Sequence, residues 1–314
     1  AGLAADAGPL RRAVTSPQDC GLSNGEYFPF MFGPELPSDQ RVDDALSACF
    51  DTPPLDDALD IVGAARVALT LSSDRPQANL CVRLCDVHPD GASELIAYGL
   101  LNLCQHRSRQ HPEPLAPGAG FDATIVLDQC AYRIPAGHRL RVALSTACWP
   151  MIWPSPETAT LSLSAGLIDL PVRAAAAGDE WTFAPPEGAS PWRTEELRAA
   201  TSSKRVVRDM ATARTSMIVE NDFGALRDLD HGLVNGSRLR EEWSIRADDP
   251  LSARADIGWE QTGGRGDWTW RTSASGTMTS DREAFHLQAR LDAFENERQV
   301  FSREWKTTIP RRCI

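Results

Sequence analysis

Six histidines are the residues of this chain best suited to acid–base or metal chemistry: His88, His106, His111, His138, His231 and His286. A zinc site usually draws ligands from i, i+3 or i+4 spacing, or from a C-x-x-C pair. His106 and His111 are five residues apart in a polar segment, and His138 follows a Pro-Ala-Gly turn. No histidine has an evident partner in the sequence that would make it a general base. We therefore predict no metal site and no cofactor, and expect the histidines to support loops or to face solvent.

A serine nucleophile would be the other carrier of hydrolytic chemistry. In an α/β-hydrolase the serine lies on a sharp strand-to-helix turn between glycines that remove steric conflict. The string TSASG (272–276) places serines beside a glycine, but inside a predicted strand hairpin. The alternation of strands and helices that builds a parallel sheet is also missing. We therefore assign no catalytic residue to this chain.

Two acidic segments, DVHPDG (86–91) and DQRVDD (39–44), contain oxygen ligands that calcium prefers. An EF-hand-like loop needs five or six such ligands at fixed spacing, and neither segment meets that pattern. DVHPDG is more typical of a Pro-Asp-Gly turn that joins two strands. Asp43 and Asp44 are expected to pair with Arg41 or to cap a turn.

Aromatic residues cluster in two places. The segment EYFPFMFG (26–33) contains Tyr27, Phe28, Phe30 and Phe32, and Trp149 and Trp153 flank a second apolar segment. An exposed aromatic platform would suggest carbohydrate or peptide binding. The sequence favours the alternative, a packed seam between the N-terminal segment and the body of the protein.

Eight cysteines suggest disulfides by their even number, but their spacing argues against them. Cys81 and Cys85 are four residues apart in a strand-like run, so they face the same side about 13 Å apart. That separation is too large for a disulfide. Buried free thiols are the favoured interpretation, which predicts a reducing compartment and hence the cytoplasm.

The net charge and the hydropathy of the chain limit the classes of partner that it is expected to bind. The net charge is −11, without a block of lysine or arginine. A nucleic-acid-binding protein needs a basic stripe to displace phosphate counterions, so nucleic acid is not an expected partner. An anionic membrane surface would repel the chain for the same reason, and no run approaches the 18 apolar residues that span a bilayer.

The strongest structural signal is a series of short segments in which apolar residues alternate with polar ones. They are separated by turn-forming clusters and cover 61–73, 78–87, 94–103, 121–128, 138–146 and 159–164. Such spacing without intervening helices predicts an antiparallel jelly-roll β-sandwich. We assign 1–50 to an extended arm, 51–173 to the sandwich, 174–204 to a connector and 205–314 to a second antiparallel β domain. Within the connector, TEELRAA (194–200) suggests a short helix.

Several of these strings together resemble a known family. GPELPSDQRVDD, CDVHPDG and PAGHRLRVALS resemble the C-terminal, galactose-binding-like β domain of the CocE/NonD hydrolases, which include X-Pro dipeptidyl-peptidases and cocaine esterase. Family members place a Ser–Asp–His triad in an α/β-hydrolase domain that precedes this region. The resemblance implies that the chain is an accessory region, inactive alone, whose main partner is a hydrolase domain of the same protein. A homo-oligomer is also compatible with it.

The resemblance also implies a role for the arm. In the family the arm lies near the substrate pocket, so Tyr27, Phe28, Phe30 and Phe32 are expected to form part of its wall. We expect this segment and the Trp149–Trp153 loop to form one apolar surface facing the hydrolase domain. The chain itself is expected to be a fragment, a proteolysed product or one half of a split protein. The alternatives are a free-standing jelly-roll module that binds carbohydrate or another ligand, and a structural oligomerisation domain.

Overall fold

The fold is almost entirely antiparallel β-structure. A computed structural model describes residues 10–28, 35–174 and 176–314. Strands take up 57% of the chain and helix only 2%, which confirms the predicted all-β class. No helix in the described ranges is long and apolar enough to cross a membrane.

Eight strands build a sandwich of two four-stranded sheets. Their bounds are β1 Arg12–Val14, β2 Ala48–Asp51, β3 Leu59–Ser73, β4 Asn79–Val87, β5 Ser93–Asn102, β6 Phe121–Ile134, β7 Arg139–Ser145 and β8 Leu161–Asp169. The strand orders are β1-β8-β3-β6 in one sheet and β2-β7-β4-β5 in the other. The chain therefore passes repeatedly from one sheet to the other, which is jelly-roll topology. The predicted jelly roll is confirmed.

The sandwich core comes from the alternation seen in the sequence. On β3, Val67, Leu69 and Leu71 are at most 5% exposed, while their neighbours face outward. Strand β4 supplies Leu80, Val82 and Leu84, but all nine of its residues are buried. Its second face is covered as well, because the arm crosses it.

The arm covers β4 through a short helix, α1 (Arg41–Asp44). Asp44 lies 3.0 Å from Arg83 of β4 and 2.9 Å from Arg141 of β7. The expected pairing with Arg41 is wrong, because α1 turns Asp44 inward and leaves Arg41 exposed beside Asp39, 2.7 Å away. The capping alternative holds for Asp43, whose carboxylate accepts backbone N–H groups of the 21–23 turn at 2.9 and 2.8 Å.

A second, eight-stranded antiparallel sheet follows, as the sequence predicts. Its strands are β9 Thr194–Arg198, β10 Thr201–Asp209, β11 Arg214–Asp228, β12 Val234–Arg246, β13 Asp249–Arg265, β14 Trp268–Ser280, β15 Ala284–Glu295 and β16 Arg298–Pro310. They are ordered β10 to β16 consecutively, with β9 paired to β11. The helix expected at 194–200 is wrong, because these residues gain ladder partners on β11 and tertiary pairing overrides helix propensity. Strands β1 and β9 lie inside segments predicted as arm or connector, and strands β2 and β10 cross the predicted ends of those segments.

The far end of the large sheet is open to solvent. Every residue of β16 is exposed, including Val300, Phe301 and Ile309. Since successive residues point to opposite faces, neither face of β16 is covered by another described part of the chain.

A tryptophan cluster joins the sandwich to the second sheet. Trp149 is 1% exposed and packs against Trp153 and Trp243, with ring centroids 5.5 and 6.3 Å away. The Trp153 indole N–H donates to Ser280 Oγ at 2.8 Å. The expectation that the Trp149–Trp153 loop forms an outward apolar surface with the arm aromatics is therefore wrong. The second sheet already buries this loop.

Replacing Trp149 by alanine should loosen this joint. Truncating a fully buried tryptophan typically costs about 3–5 kcal/mol of unfolding free energy, through lost burial and a cavity. Trp305→Ala is the matched control, because Trp305 lies on β16 and is 38% exposed; it should cost about 1 kcal/mol or less. Urea denaturation of both variants measures the difference, and equal small losses would contradict the buried joint.

Candidate functional site

The arm carries a loop whose ends are held together and whose first residues include two exposed aromatic side chains. The Glu26 N–H donates to the Glu35 carbonyl oxygen at 2.9 Å, which closes the base of what we call the arm loop (residues 26–35). Tyr27 is 84% and Phe28 67% exposed. Phe30 and Phe32 lie outside the described residues, so of the four predicted pocket-wall residues the structure places two, and both face outward.

Gly25 lets the chain enter the arm loop. Its φ is +80°, and a Cβ there would stand 2.7 Å from the Pro37 backbone nitrogen. Residues with a Cβ rarely adopt this conformation, and the contact leaves no space for one. The entry to the loop therefore requires glycine.

The second sheet anchors the base of the arm loop. Glu35 is 1% exposed, and Asn221 of β11 donates to its Oε1 at 2.8 Å. Lys204 of β10 lies beside the two loop carboxylates; burial lowers its pKa, and the charges of Glu26 and Glu35 oppose that shift. The loop is thus fixed against the second sheet, while α1 fixes the arm against the sandwich.

Glu26 is the perturbed titratable group of this site. Burial raises its pKa from 4.5 to about 7, with Lys204 opposing the shift and the charges of Glu35 and Glu241 adding to it. Its Oε1 atom is inaccessible to solvent and accepts no hydrogen bond from the described residues. The site therefore offers two aromatic side chains and one carboxyl group that titrates near neutrality, on a fixed base.

One string of the nucleophile-elbow type was missed by sequence reasoning. GLSNG (21–25) spells G-x-S-x-G, but Ser23 lies in a turn with neither a strand before it nor a helix after it. Its N–H donates to Asp43 and its carbonyl accepts the Gln40 side-chain amide at 2.7 Å. The string matches the elbow in spelling and lacks its structural context.

The histidines do not complete a hydrolytic triad. All six lie in the described ranges, and none of their rings hydrogen-bonds a serine hydroxyl there. His286 comes nearest, with Asp281 2.8 Å from Nε2 and the Thr308 hydroxyl 3.4 Å from Nδ1. These three groups lie on the open surface of the second sheet and are exposed. That surface does not exclude water or surround a substrate.

The structure does bring together three residues that the sequence analysis did not group. Asp86, His88 and His138 offer ligand atoms that all lie within 4.8 Å of one another. Their order in the sequence hides this, but β4 pairs with β7, so the end of one strand and the start of the other are neighbours. No local sequence motif encodes this pairing, so the sequence alone could not reveal the group.

Changing Glu26 to glutamine should alter the pH dependence of stability. Since the folded pKa of Glu26 is raised to about 7, its protonated form is favoured, and its contribution is complete below pH 4.5 and lost as pH rises through 7. We expect Glu26→Gln to raise Tm by about 1–3 °C at pH 8 and to change it little at pH 5.

Glu187→Gln, at an exposed carboxylate of the connector, is the control and should leave Tm unchanged at both pH values. Thermal melts across this range measure the effect. A stabilisation by Glu26→Gln that is larger at pH 5 than at pH 8 would contradict the account.

Two curated relatives match part of the chain. Cocaine esterase of Rhodococcus sp. (strain MB1 Bresler) is 27% identical over 138 residues, which is 43% of this chain and 24% of that protein. A putative serine esterase of Mycobacterium bovis is 27% identical over 157 residues, 43% of this chain and 25% of its own length. The match thus spans about a quarter of the length of each relative.

Solved structures give weaker matches. An α-amino acid ester hydrolase aligns with a TM-score of 0.46 and 23% identity, covering 52% of this chain and 32% of that one. An aminopeptidase from a marine sediment archaeon, Thaumarchaeota archaeon, aligns with a TM-score of 0.44 and 18% identity over 54% of this chain and 34% of its own.

The family comparison covers most of the arm and the whole sandwich. The model of the X-Pro dipeptidyl-peptidase C-terminal non-catalytic domain matches residues 5–185, more than half of the 314. This range contains β1 to β8, the strands of the jelly roll. The chain therefore belongs to the family of X-Pro dipeptidyl-peptidase C-terminal non-catalytic domains, as its sequence resemblance implies.

Proposed function

We propose that this chain is the accessory β-region of a CocE/NonD-type X-Pro dipeptidyl-peptidase or acyl hydrolase, and that it shapes the substrate pocket of a catalytic domain. The observation that carries the proposal is the match of residues 5–185 to a domain defined as non-catalytic. Two relatives that share this region are named as esterases, and the shared region is a minor part of each. We infer that a serine hydrolase domain supplies the chemistry here too.

The arm loop is the surface we assign to the pocket wall. Tyr27 and Phe28 are exposed on a base fixed by Glu35 and Asn221. Such a base presents the aromatic rings at little ordering cost when a partner binds. A partner domain that donated a hydrogen bond to Glu26 Oε1 would also satisfy a buried atom that has no partner among the described residues.

A second contact surface is proposed at the end of the large sheet. Strand β16 has an exposed edge and exposed apolar side chains on both faces. Edge strands of this kind readily pair with another chain. We assign β16 to domain or dimer packing, and the dimer form of this assignment would give a homo-oligomer.

Ligand binding by the sandwich is the second candidate. An apolar cleft of about 420 Å³ opens between the two sheets, lined by Leu10, Phe50, Leu144 and Ile168 among others. A carbohydrate site would need several convergent polar groups, and the lining of this cleft is almost entirely apolar. The cleft favours a small apolar ligand over a sugar.

Activity measurements test the pocket-wall assignment. Hydrolysis of p-nitrophenyl esters and X-Pro p-nitroanilides is measured for this chain alone and for a protein containing both this chain and its hydrolase domain. The isolated chain should be inactive, because catalysis needs a nucleophile, its base and an oxyanion hole held together. In the two-domain protein, Tyr27→Ser with Phe28→Ser should lower kcat/KM about tenfold, as expected for about 1.4 kcal/mol of lost contact energy.

The matched control is Val206→Ser with Val207→Ser, an adjacent exposed apolar pair on β10, which should leave kcat/KM within about twofold. Turnover by the isolated chain that a serine-directed inhibitor abolishes would overturn the non-catalytic role. Equal effects of the two double variants would overturn the assignment of the arm loop to the pocket.

The cysteines bear on the proposed cytoplasmic location. All eight are free and five are buried, and burial raises the pKa of Cys20 and Cys85 to about 12, which suppresses thiolate formation. Side-chain hydrogen bonds bring Cys81 close to Cys148 and Cys104 close to Cys313. The spacing argument from Cys81 and Cys85 therefore does not by itself exclude disulfides.

We predict that denaturation without reductant releases eight titratable thiols. The native protein should react slowly and only at the three partly exposed cysteines, Cys49, Cys130 and Cys313. Titration with a thiol-specific chromophore provides the counts. A disulfide between Cys81 and Cys148, or between Cys104 and Cys313, in freshly isolated protein would contradict the reducing compartment.

A further inference from the structure

Two turns meet at one end of the sandwich and bring four metal-ligating side chains together. Asp86 is near the end of β4, His88 follows that strand, Glu94 is near the start of β5, and His138 immediately precedes β7. Asp86 pairs with Glu94 in the β4–β5 ladder, and Val87 pairs with Arg139 in the β4–β7 ladder. The strand register therefore fixes all four positions relative to one another.

The distances within this group fit a tetrahedral ion. His138 Nδ1 lies 2.8 Å from Asp86 Oδ1, and His88 Nε2 lies 3.4 Å from Glu94 Oε2 and 3.9 Å from Asp86 Oδ2. Zinc ligands stand about 2.0–2.2 Å from the metal, so tetrahedral neighbours are about 3.3–3.6 Å apart. These three separations bracket that value, and the ligand atoms of Asp86, His88 and His138 all lie within 4.8 Å of one another, so side-chain shifts would bring the remaining pairs to tetrahedral spacing.

The group also has chemical reasons to accept a cation. Asp86 is 1% exposed, and no lysine or arginine of the described ranges lies within ion-pair distance of it. A buried carboxylate without a cationic partner is costly. His88 Nε2 is inaccessible to solvent and has no hydrogen-bond partner among the described residues, although the ring as a whole is one-third exposed. A bound cation would pair with the Asp86 carboxylate and would also be coordinated by His88 Nε2.

We propose that Asp86, His88, Glu94 and His138 form a zinc site that ties the β4–β5 turn to the start of β7. Two imidazoles with two carboxylates favour zinc over calcium and magnesium, which prefer sets made of oxygen only. Glu94 is 58% exposed on its side chain and leaves an entry path for the ion. Tight fixation of both turns points to a structural ion.

Tyr132 positions the two carboxylates. It lies on β6 of the opposite sheet, and its hydroxyl group is 3.1 Å from Asp86 Oδ2 and 3.2 Å from Glu94 Oε2. Partners of this kind orient metal ligands and raise affinity by about 10–100-fold.

Titration calorimetry of the chelator-treated full chain with zinc sulfate tests the proposal. We expect one zinc per chain, a higher Tm in its presence, and much weaker binding of magnesium and calcium. His88→Ala should weaken zinc binding at least about 100-fold, and Tyr132→Phe about tenfold. His286→Ala, at another histidine–aspartate pair on the second sheet, is the matched control and should bind as the wild type does.

The absorption spectrum of bound cobalt(II) distinguishes binding at this site from binding by the cysteines. An imidazole–carboxylate set should give weak visible absorption bands without a thiolate charge-transfer band in the near ultraviolet. A thiolate band, or zinc binding that is equal in His88→Ala and the wild type, would overturn the proposal. So would the lack of any stoichiometric zinc binding by a wild-type chain whose melting shows it to be folded.

Discussion

The buried ion pair between Arg83 and Asp44 holds the arm on the sandwich. Both side chains are less than 5% exposed and stand 3.0 Å apart. Burying two charges is costly unless further hydrogen bonds satisfy them. Here Arg83 donates to Gln40 and Ser47 at 2.8 and 3.0 Å, while Asp44 accepts from Ser93 and Arg141 at 2.7 and 2.9 Å. Loss of Asp44 would leave Arg83 without an acidic partner among the described residues, whereas loss of Arg83 would leave Asp44 with Arg141 as its only cationic partner there.

The position of the arm loop follows from that pair. Helix α1 carries both Asp44 and Asp43, and Asp43 holds the 21–23 turn through two backbone N–H groups. The next residues lead through Gly25 into the loop, whose base is fixed to the second sheet by Glu35. The polar interactions of the arm thus fix the position of the loop that carries Tyr27 and Phe28. This arrangement suits a scaffold that presents a contact surface to a catalytic domain.

Sequence patterns predicted the parts of the fold that depend on local alternation. Val67, Leu69 and Leu71 lie on one face of β3 because strand geometry has a period of two. The pattern failed at 194–200, where pairing with β11 overrides helix-forming residues. It also could not show that Trp149 would be buried by the second sheet, because that contact joins parts of the chain about 100 residues apart.

The candidate sites were harder to predict than the fold, because they depend on contacts between residues that are far apart in the sequence. Tyr27 and Phe28 were found because aromatic residues cluster locally, but their anchors, Lys204 and Asn221, lie far away in the sequence. The approach of His88 to His138 depends on the register between β4 and β7, which no local motif encodes. Arg83 lies in an apolar run, and the sequence offers no sign that Asp44 would balance its charge.

The central claim is that this region works beside a serine hydrolase domain. Determining the coding sequence immediately upstream of the codon for Ala1 tests it most directly. The account predicts an in-frame α/β-hydrolase region in which G-x-S-x-G follows a strand and precedes a helix, with its aspartate and histidine partners also upstream. An upstream sequence that ends the reading frame or encodes an unrelated domain, with no hydrolase domain encoded beside it, would contradict the account.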